Sequence, residues 1–303
     1  MKLLHDDIKL FTQILSVCHE KSNLSVTMIE KDYYVFLLLR ELMQRIPELV
    51  FKGGTSLSKC HRVVERFSED VDLSTDVGVS QGRRKQIKDI LQKVVASLGL
   101  RIVNLEDTHS RKDYNRYIVA YDSVLQRDTE LTSNIILELT YISTAIPALK
   151  LPVDSIIGNV LVEENQTLVN EYSLHPVAVK AQSLERTFID KVFALCDYCM
   201  REEYSRNSRH IYDLYKIFPK IKMDDNFKSL VGEVREVRQQ SKVAVSAVDG
   251  VDINAVLRQI VDSACFKEDY ERITQQLIFE RISYEKVIEV LSEIFKSNAF
   301  RIM

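Results

Sequence analysis

The sequence predicts an α+β protein, with an N-terminal part that mixes strands and helices and a mainly helical C-terminal part. Three observations predict this. Between residues 1 and 145, segments with helical apolar spacing alternate with short runs rich in β-branched and aromatic residues. From Leu184 onward nearly every segment carries a helical apolar stripe. Hydrophobic residues form 46% of the 303-residue chain, which is enough for a sizeable core. By itself the alternation suits an α/β or an α+β arrangement. The length suits one large domain or two ordinary ones. The shift in pattern falls between residues 150 and 180, so the expected domains are 1–180 and 181–303.

The elements follow in order. Residues 6–20 place Ile8, Leu10, Phe11, Ile14, Leu15 and Cys18 at helical spacing. A second helix starts near Thr27 or Met28, and Pro47 closes it. "ELVFKGG" is a short strand ending in a glycine turn. "TSLSKCHRVVERF" is a helix with Thr55 or Ser56 as its N-cap. "SEDVDLST" is a second strand. In "GRRKQIKDILQKVVASLGL" the stripe Ile87, Ile90, Leu91, Val94 and Val95 marks a helix that Gly99 ends. "RIVNLED", "RYIVAYDSV" and "NIILELTYI" are strand candidates, and "DSIIGNVLVEE" and "PVAVKAQ" are expected to add strands. Beyond them, "LERTFIDKVFALCDYCM", "RHIYDLYKIF", "NFKSLVGEVREVRQQ", "INAVLRQIVDSA" and "SYEKVIEVLSEIF" are helices.

Composition excludes several function classes. A formal net charge of −3 gives no global attraction to nucleic acid or to an acidic membrane, so a polyanionic partner needs a local basic patch. The five cysteines, an odd number without recurring spacing, suit reduced thiols in a cytoplasmic protein. Cys196 and Cys199 form one CxxC without further ligands at a zinc-like spacing, and they read as part of a buried helix. The amphipathic start is not a signal peptide, and the longest apolar run, "VFLLL", is too short to span a bilayer.

The segment "FKGGTSLSKCHRVVERFSEDVDLSTD" carries the chemistry. Two of the eight glycines, Gly53 and Gly54, are adjacent there. In a strand, Asp70 and Asp72 share one face with Ser68, while Val71 and Leu73 face the core. Two carboxylates this close repel each other, and a divalent cation such as Mg²⁺ or Mn²⁺ relieves the repulsion. Taken alone, the Asp-Val-Asp triplet reads as two solvated aspartates on a polar strand. The glycines shift that balance. A strand, a Gly-Gly turn and a helix N-terminus gather backbone N–H groups at one point. Thr55 and Ser56 add hydroxyls, and Lys59 follows one turn later. "GGTSLSK" is not a Walker A loop, which requires a glycine just before the lysine. Together the two parts form a phosphate seat followed by metal-binding carboxylates.

"GGTSLSK" followed by "RFSEDVDLS" resembles the signature of the AbiEii/AbiGii toxin family, a branch of the polymerase-β-like nucleotidyltransferase superfamily. The lead-in "IEKDYYVFLLLREL" resembles the family's first helix. "DKVFAL" and "SRHIYDLYKI" resemble its two later motifs, a helix lysine and an aspartate helix, here Lys191 and Asp213. The resemblance spans residues 27–220. The chain departs from it at Arg209-His210, where the family often has Arg-Asp, and the C-terminal remainder carries no recognisable motif.

The resemblance implies a nucleotidyltransferase-fold mixed sheet flanked by helices, and a metal-dependent enzyme acting on a nucleoside triphosphate. Asp70 and Asp72, with Glu138 as the third carboxylate, would hold Mg²⁺ or Mn²⁺. Glu138 is the acid embedded in an apolar strand, and Asp122 is the weaker alternative. Gly53, Gly54, Thr55, Ser56, Lys59 and Ser68 would contact phosphates. Lys191 would reach the triphosphate or the base, and Asp213 would position Lys191 or bind the nucleotide. The implied acceptor is the 3′ end of tRNA, and the implied partner is a cognate antitoxin. A small-molecule or protein hydroxyl as acceptor, or a non-catalytic nucleotide-binding module, are the alternative readings. Basic clusters at Arg83, Arg84, Lys85 and Lys88, at Arg111, Lys112 and Arg116 around Tyr114 and Tyr117, and at Arg201, Arg206 and Arg209 are candidate RNA contacts, or else solvated helix faces. His61 and His210 flank the motifs and receive no role.

Overall fold

The protein is described here from a computed structural model covering residues 2–68, 70–125 and 133–301. Its fold is α+β, with a mixed sheet and many helices. The chain divides into two compact units. The first comprises Met1–Phe51, Glu69–Thr144 and Ala148–Ala181, and the second Lys52–Ser68, Ala145–Pro147 and Gln182–Met303.

The first unit is built on the sheet. Its strands are β1 (Leu49–Lys52), β2 (Asp70–Thr75), β3 (Arg101–Ile102), β4 (Tyr114–Ala120), β5 (Asn134–Thr144), β6 (Ala148–Val153) and β7 (Val177–Gln182). Among the described residues they form one seven-stranded sheet in the order β3-β4-β5-β2-β1-β7-β6. β2 pairs parallel with β5, and β1 parallel with β7. β4 pairs antiparallel with both β3 and β5. Alternation decides the faces. Along β2, β4 and β5 the odd-numbered residues Val71, Leu73, Tyr117, Val119, Ile135, Leu137 and Leu139 are buried. The even-numbered Asp70, Asp72, Tyr114, Arg116 and Glu138 remain partly or wholly exposed.

Among the described residues, five helices complete this unit's frame: α1 (Ile8–Ser22), α2 (Val26–Arg45), α4 (Gln81–Ser97), α5 (Ile156–Glu164) and the short α6 (Gln166–Glu171). α2 is buried from Ile29 to Leu42 apart from the half-buried Asp32, and α1, α4 and α5 all pack on it. That explains its unbroken apolar run. Two of its acids tie other segments down. Glu30 accepts from the Ser123 hydroxyl at 2.6 Å and from the Val124 N–H at 2.9 Å. Asp32 accepts from the Ile156 N–H at the start of α5 at 2.8 Å. The lead-in motif thus braces the unit.

Two segments depart from the sequence expectation here. "DSIIGNVLVEE" forms helix α5 instead of a strand. Ser155 caps it by accepting from the Gly158 N–H at 2.9 Å. A β-carbon at Gly158 would lie 2.5 Å from the Leu174 carbonyl, so the helix needs glycine for close packing. The "RIVNLED" run keeps only two strand residues before a 3₁₀ turn at Leu105–Asp107.

The second unit is helical: α3 (Gly53–Lys59), α7 (Leu184–Met200), α8 (Arg209–Ile217), α9 (Asp225–Gln239), α10 (Ile253–Ser263) and α13 (Tyr284–Lys296). Two short pieces, α11 (Lys267–Asp269) and α12 (Gln275–Leu277), flank a π-helical turn at Tyr270–Thr274. A single core joins Leu57, Val63 and Val64 to the buried faces of α7, α8, α10 and α13. α3 is shorter than the periodicity of "TSLSKCHRVVERF" suggests. It ends at Lys59, and Arg62 then adopts a left-handed conformation with φ 54°. Residues 65–67 run extended instead, with Phe67 donating to the Leu277 carbonyl at 2.8 Å and Phe279 to that of Glu65 at 3.0 Å. Cys196 and Cys199 lie buried in α7, as the helical stripe implies. Among the described residues, no helix is long and apolar enough to cross a membrane.

Candidate active site

In the first unit, lateral register places Asp72 of β2 beside Glu138 of β5, and Asp70 beside Ile136. Paired residues on neighbouring strands share a face. Asp70, Asp72 and Glu138 therefore stand on one side of the sheet, with Val71, Leu137 and Leu139 anchoring the other. Glu138 is also opposite Arg116 of β4, whose Nε lies 3.9 Å from its carboxylate. Burial, and next the nearby Glu138 carboxylate, push the Tyr114 phenol pKa up. Asp122 is set apart from this group, pairing with Arg101 at 2.9 Å on a mostly exposed edge.

The three carboxylates suit a hard divalent cation in their chemistry. Among the described residues no three His, Cys, Asp or Glu side chains close into a ready cage. An open carboxylate face of this kind still matches Mg²⁺, which keeps waters and takes substrate oxygens as further ligands.

In the second unit, the glycine pair opens α3. Gly53 has φ 75°, a left-handed conformation that L side chains rarely adopt. Gly54 has a different reason. A β-carbon there would lie 2.3 Å from Arg66 Nη2 and 3.1 Å from Ser68 Oγ. The helix cap is Lys52, without a side-chain bond, so Thr55 and Ser56 are inside α3 and do not cap it. Both are buried. Thr55 Oγ1 donates to Ser68 Oγ at 2.8 Å, and Ser56 Oγ donates to the Gly53 carbonyl at 2.9 Å. The first-turn N–H groups of α3 have no partner within the helix itself. Lys59, half-buried, is its last residue.

Behind the glycines lies a buried ion cluster. Arg66 donates from Nε to Asp213 Oδ1 at 2.6 Å and from Nη2 to Oδ2 at 2.8 Å. Lys191 Nζ donates to the same Oδ2 at 2.7 Å. Arg66 also donates to the Phe67 carbonyl at 3.0 Å. All three side chains are buried, Asp213 completely. Burial alone would raise the Asp213 carboxyl, but the charges of Arg66 and Lys191 outweigh it and hold it well below the usual range. Burial lowers the Lys191 ammonium, with Asp213 opposing that shift and Arg66 adding to it. The cluster holds two cations and one anion, a local excess of one positive charge.

Arg66 opens the run "RFSEDVDLS", but nothing local assigns it a role. The close approach to Gly54, which only the fold displays, is its signal. His210 stands next to this cluster on α8. Its Nδ1 is enclosed and has no hydrogen-bond partner among the described residues. Burial and the neighbouring Lys191 and Arg209 keep its pKa well below the usual value. His61 is held by the Gln182 carbonyl at 2.8 Å.

Most of the basic clusters are engaged locally. Arg83 pairs with Glu48, and Arg84 with Asp113 at 2.7 Å while its guanidinium lies over Tyr141. Lys112 donates to the Asp107 carbonyl at 3.0 Å, and Arg201 pairs with Glu203 at 2.8 Å. Tyr117 is buried and cannot meet RNA, whereas Tyr114 is 43% exposed.

Comparisons with known proteins bear on this arrangement. No curated protein matches the chain in sequence. Among solved structures, a similar one is MenT4, a nucleotidyltransferase toxin from Mycobacterium tuberculosis H37Rv. It is 16% identical, with 92% of this chain and 98% of that chain covered at a TM-score of 0.49. A protein-family model described as nucleotidyl transferase AbiEii toxin, type IV toxin–antitoxin system, matches residues 37–291. That span takes in the glycine pair, the carboxylate face and the Arg66–Asp213–Lys191 cluster, and the chain belongs to the AbiEii family of nucleotidyl transferase toxins.

Proposed function

We propose that the protein is a metal-dependent nucleotidyltransferase that moves a nucleoside monophosphate from a nucleoside triphosphate onto the 3′ end of an RNA, with tRNA as the acceptor. The observation that carries this reading is the register of β2 with β5. It sets Asp72 beside Glu138, with Asp70 on the same face, inside a chain of the AbiEii family. Asp70, Asp72 and Glu138 would hold Mg²⁺ or Mn²⁺. When bound, such an ion favours ionisation of an acceptor hydroxyl and offsets charge on the triphosphate.

The chain's own groups divide the remaining work. The N–H groups of Gly53 and Gly54, with Thr55, Ser56 and Ser68 beside them, bind phosphate oxygens, and Lys59 adds a charge. The acceptor hydroxyl oxygen bonds to the α-phosphorus as the α–β phosphoanhydride bond breaks, and Lys191 neutralises the charge that develops on the departing pyrophosphate. Asp213, itself locked by Arg66, fixes where the Lys191 ammonium points. A rigid, pre-ordered cation of this kind need not reorganise during the reaction, which is the source of its effect. Growth arrest follows from capping of tRNA ends, in the cytoplasm, and a cognate antitoxin relieves it.

The test is direct. Purified protein is incubated with each labelled nucleoside triphosphate, Mg²⁺ and total RNA, and the RNA is resolved by size. Label in the tRNA band supports the reading. Label on a small molecule or on protein moves the acceptor to another class. No label with any of the four nucleotides, together with unimpaired growth arrest by the Asp72→Ala variant, refutes it.

A further inference from the structure

The carboxylate face carries an aromatic and a cation as well. Across three adjacent strands, one row reads Arg116, Glu138, Asp72. Two residues along β4 on the same face is Tyr114, opposite Thr140. Tyr114 is 43% exposed, whereas Tyr117 of the same strand is buried and Tyr141 nearby is covered by the Arg84 guanidinium. Tyr114 stands on the same face as Glu138, one strand away, and among the described residues no aromatic ring or cation stacks on it. The side chain is thus partly open to solvent on the carboxylate face. Arg116 is held loosely, 3.9 Å from Glu138 with 46% of its side chain exposed.

An exposed aromatic ring beside an arginine is an arrangement that binds an unpaired nucleotide. The ring stacks on the base, which every nucleobase permits, and the guanidinium meets the phosphate. Here the pair stands on the face that bears the three carboxylates, where a nucleotide lacking a counter-charge would be repelled. We propose that Tyr114 is the stacking platform for a nucleobase at this site and that Arg116 binds a phosphate of the same nucleotide. The proposal rests on the nucleotidyl-transfer reading for its choice of ligand. The nucleobase has two sources, the incoming triphosphate and the terminal nucleotide of the RNA acceptor. The same chemistry serves either.

Binding measurements separate the sources and do not require turnover. A non-hydrolysable nucleoside triphosphate and a short single-stranded RNA are titrated separately against wild type, Tyr114→Phe, Tyr114→Ala and Arg116→Gln. Tyr114→Ala should weaken one of the two ligands by about 5- to 150-fold, while Tyr114→Phe stays within about threefold of wild type. The ligand affected identifies the source. Arg116→Gln should weaken the same ligand and lower the slope of log affinity against log salt by about one. Because Tyr114 lies at the surface, the melting temperature of each variant should remain near that of wild type, and this is checked in parallel.

Three results overturn the proposal: unchanged binding in Tyr114→Ala, no binding of either ligand by wild type, or equal losses in the Phe and Ala variants. The last would assign the effect to the hydroxyl, a positioning role. If the Tyr114 dependence holds but wild type transfers no label to any RNA, the nucleotidyl-transfer reading fails and the platform stands.

Discussion

Arg66 and Asp213, 147 positions apart in the chain, form a two-pronged ion pair at 2.6 and 2.8 Å in which both side chains are buried. The pair does more than join two segments. It uses both oxygens of Asp213, so that Lys191 meets an oxygen whose position is already fixed. Removing Arg66 leaves a buried carboxylate with one partner. Arg66→Ala should cost about 3–5 kcal/mol of unfolding free energy. Arg66→Lys should recover only part of it, because an ammonium cannot reproduce the planar fork. Chemical denaturation of the three proteins checks both statements.

The contact between Gly54 and Arg66 predicts a coupling. Gly54→Ala puts a methyl 2.3 Å from the guanidinium, so one of the two must shift. The single substitution should destabilise by about 1–3 kcal/mol. In an Arg66→Ala background it should cost less, with an interaction energy of at least about 0.5 kcal/mol. A double-mutant cycle by denaturation measures it. Gly53→Ala should cost about 1–2 kcal/mol in either background, since its penalty is backbone strain at φ 75° and not contact with Arg66.

Two groups predict how stability follows pH. The Asp213 carboxyl is held below its unfolded value by Arg66 and Lys191 despite burial. Its contribution is complete above about pH 4, the unfolded value, and is lost as the pH falls through the lower folded value. His210 behaves in the same sense at higher pH. Its folded pKa lies well below about 6.5, so its contribution is full above that pH and declines as the unfolded chain takes up the proton. Melting temperatures from pH 8 to 4 should fall less steeply for His210→Phe than for wild type below about pH 6.5.

Much of this was legible in the sequence, and the remainder divides by cause. Asp70 and Asp72 share a face because strand alternation is local, and Lys191 and Asp213 lie on α7 and α8, whose apolar stripes are equally local. Glu138 could be picked out as an acid among apolar residues, but its place beside Asp72 is a matter of parallel register. The role of Arg66 is illegible in the sequence because its partner Asp213 lies 147 positions away. "DSIIGNVLVEE" misled because a short apolar run suits strand or helix equally, and the Ser155 cap and the Asp32 bond decide it. α3 stops early because residues 65–67 pair with 277–279, a tertiary contact that overrides helical spacing.

The carboxylate face carries the central claim, and one comparison tests it most directly. Transfer of labelled nucleotide to RNA is followed for wild type, Asp72→Asn and Glu138→Gln, each across a Mg²⁺ titration and after chelation. Chelation should abolish transfer, and Asp72→Asn should lower its rate by a factor on the order of 100 or more, since the amide removes a charged oxygen ligand. Glu138→Gln should raise the Mg²⁺ concentration needed for half-maximal rate. Transfer that persists undiminished after chelation, or in both variants at every Mg²⁺ concentration, would contradict it.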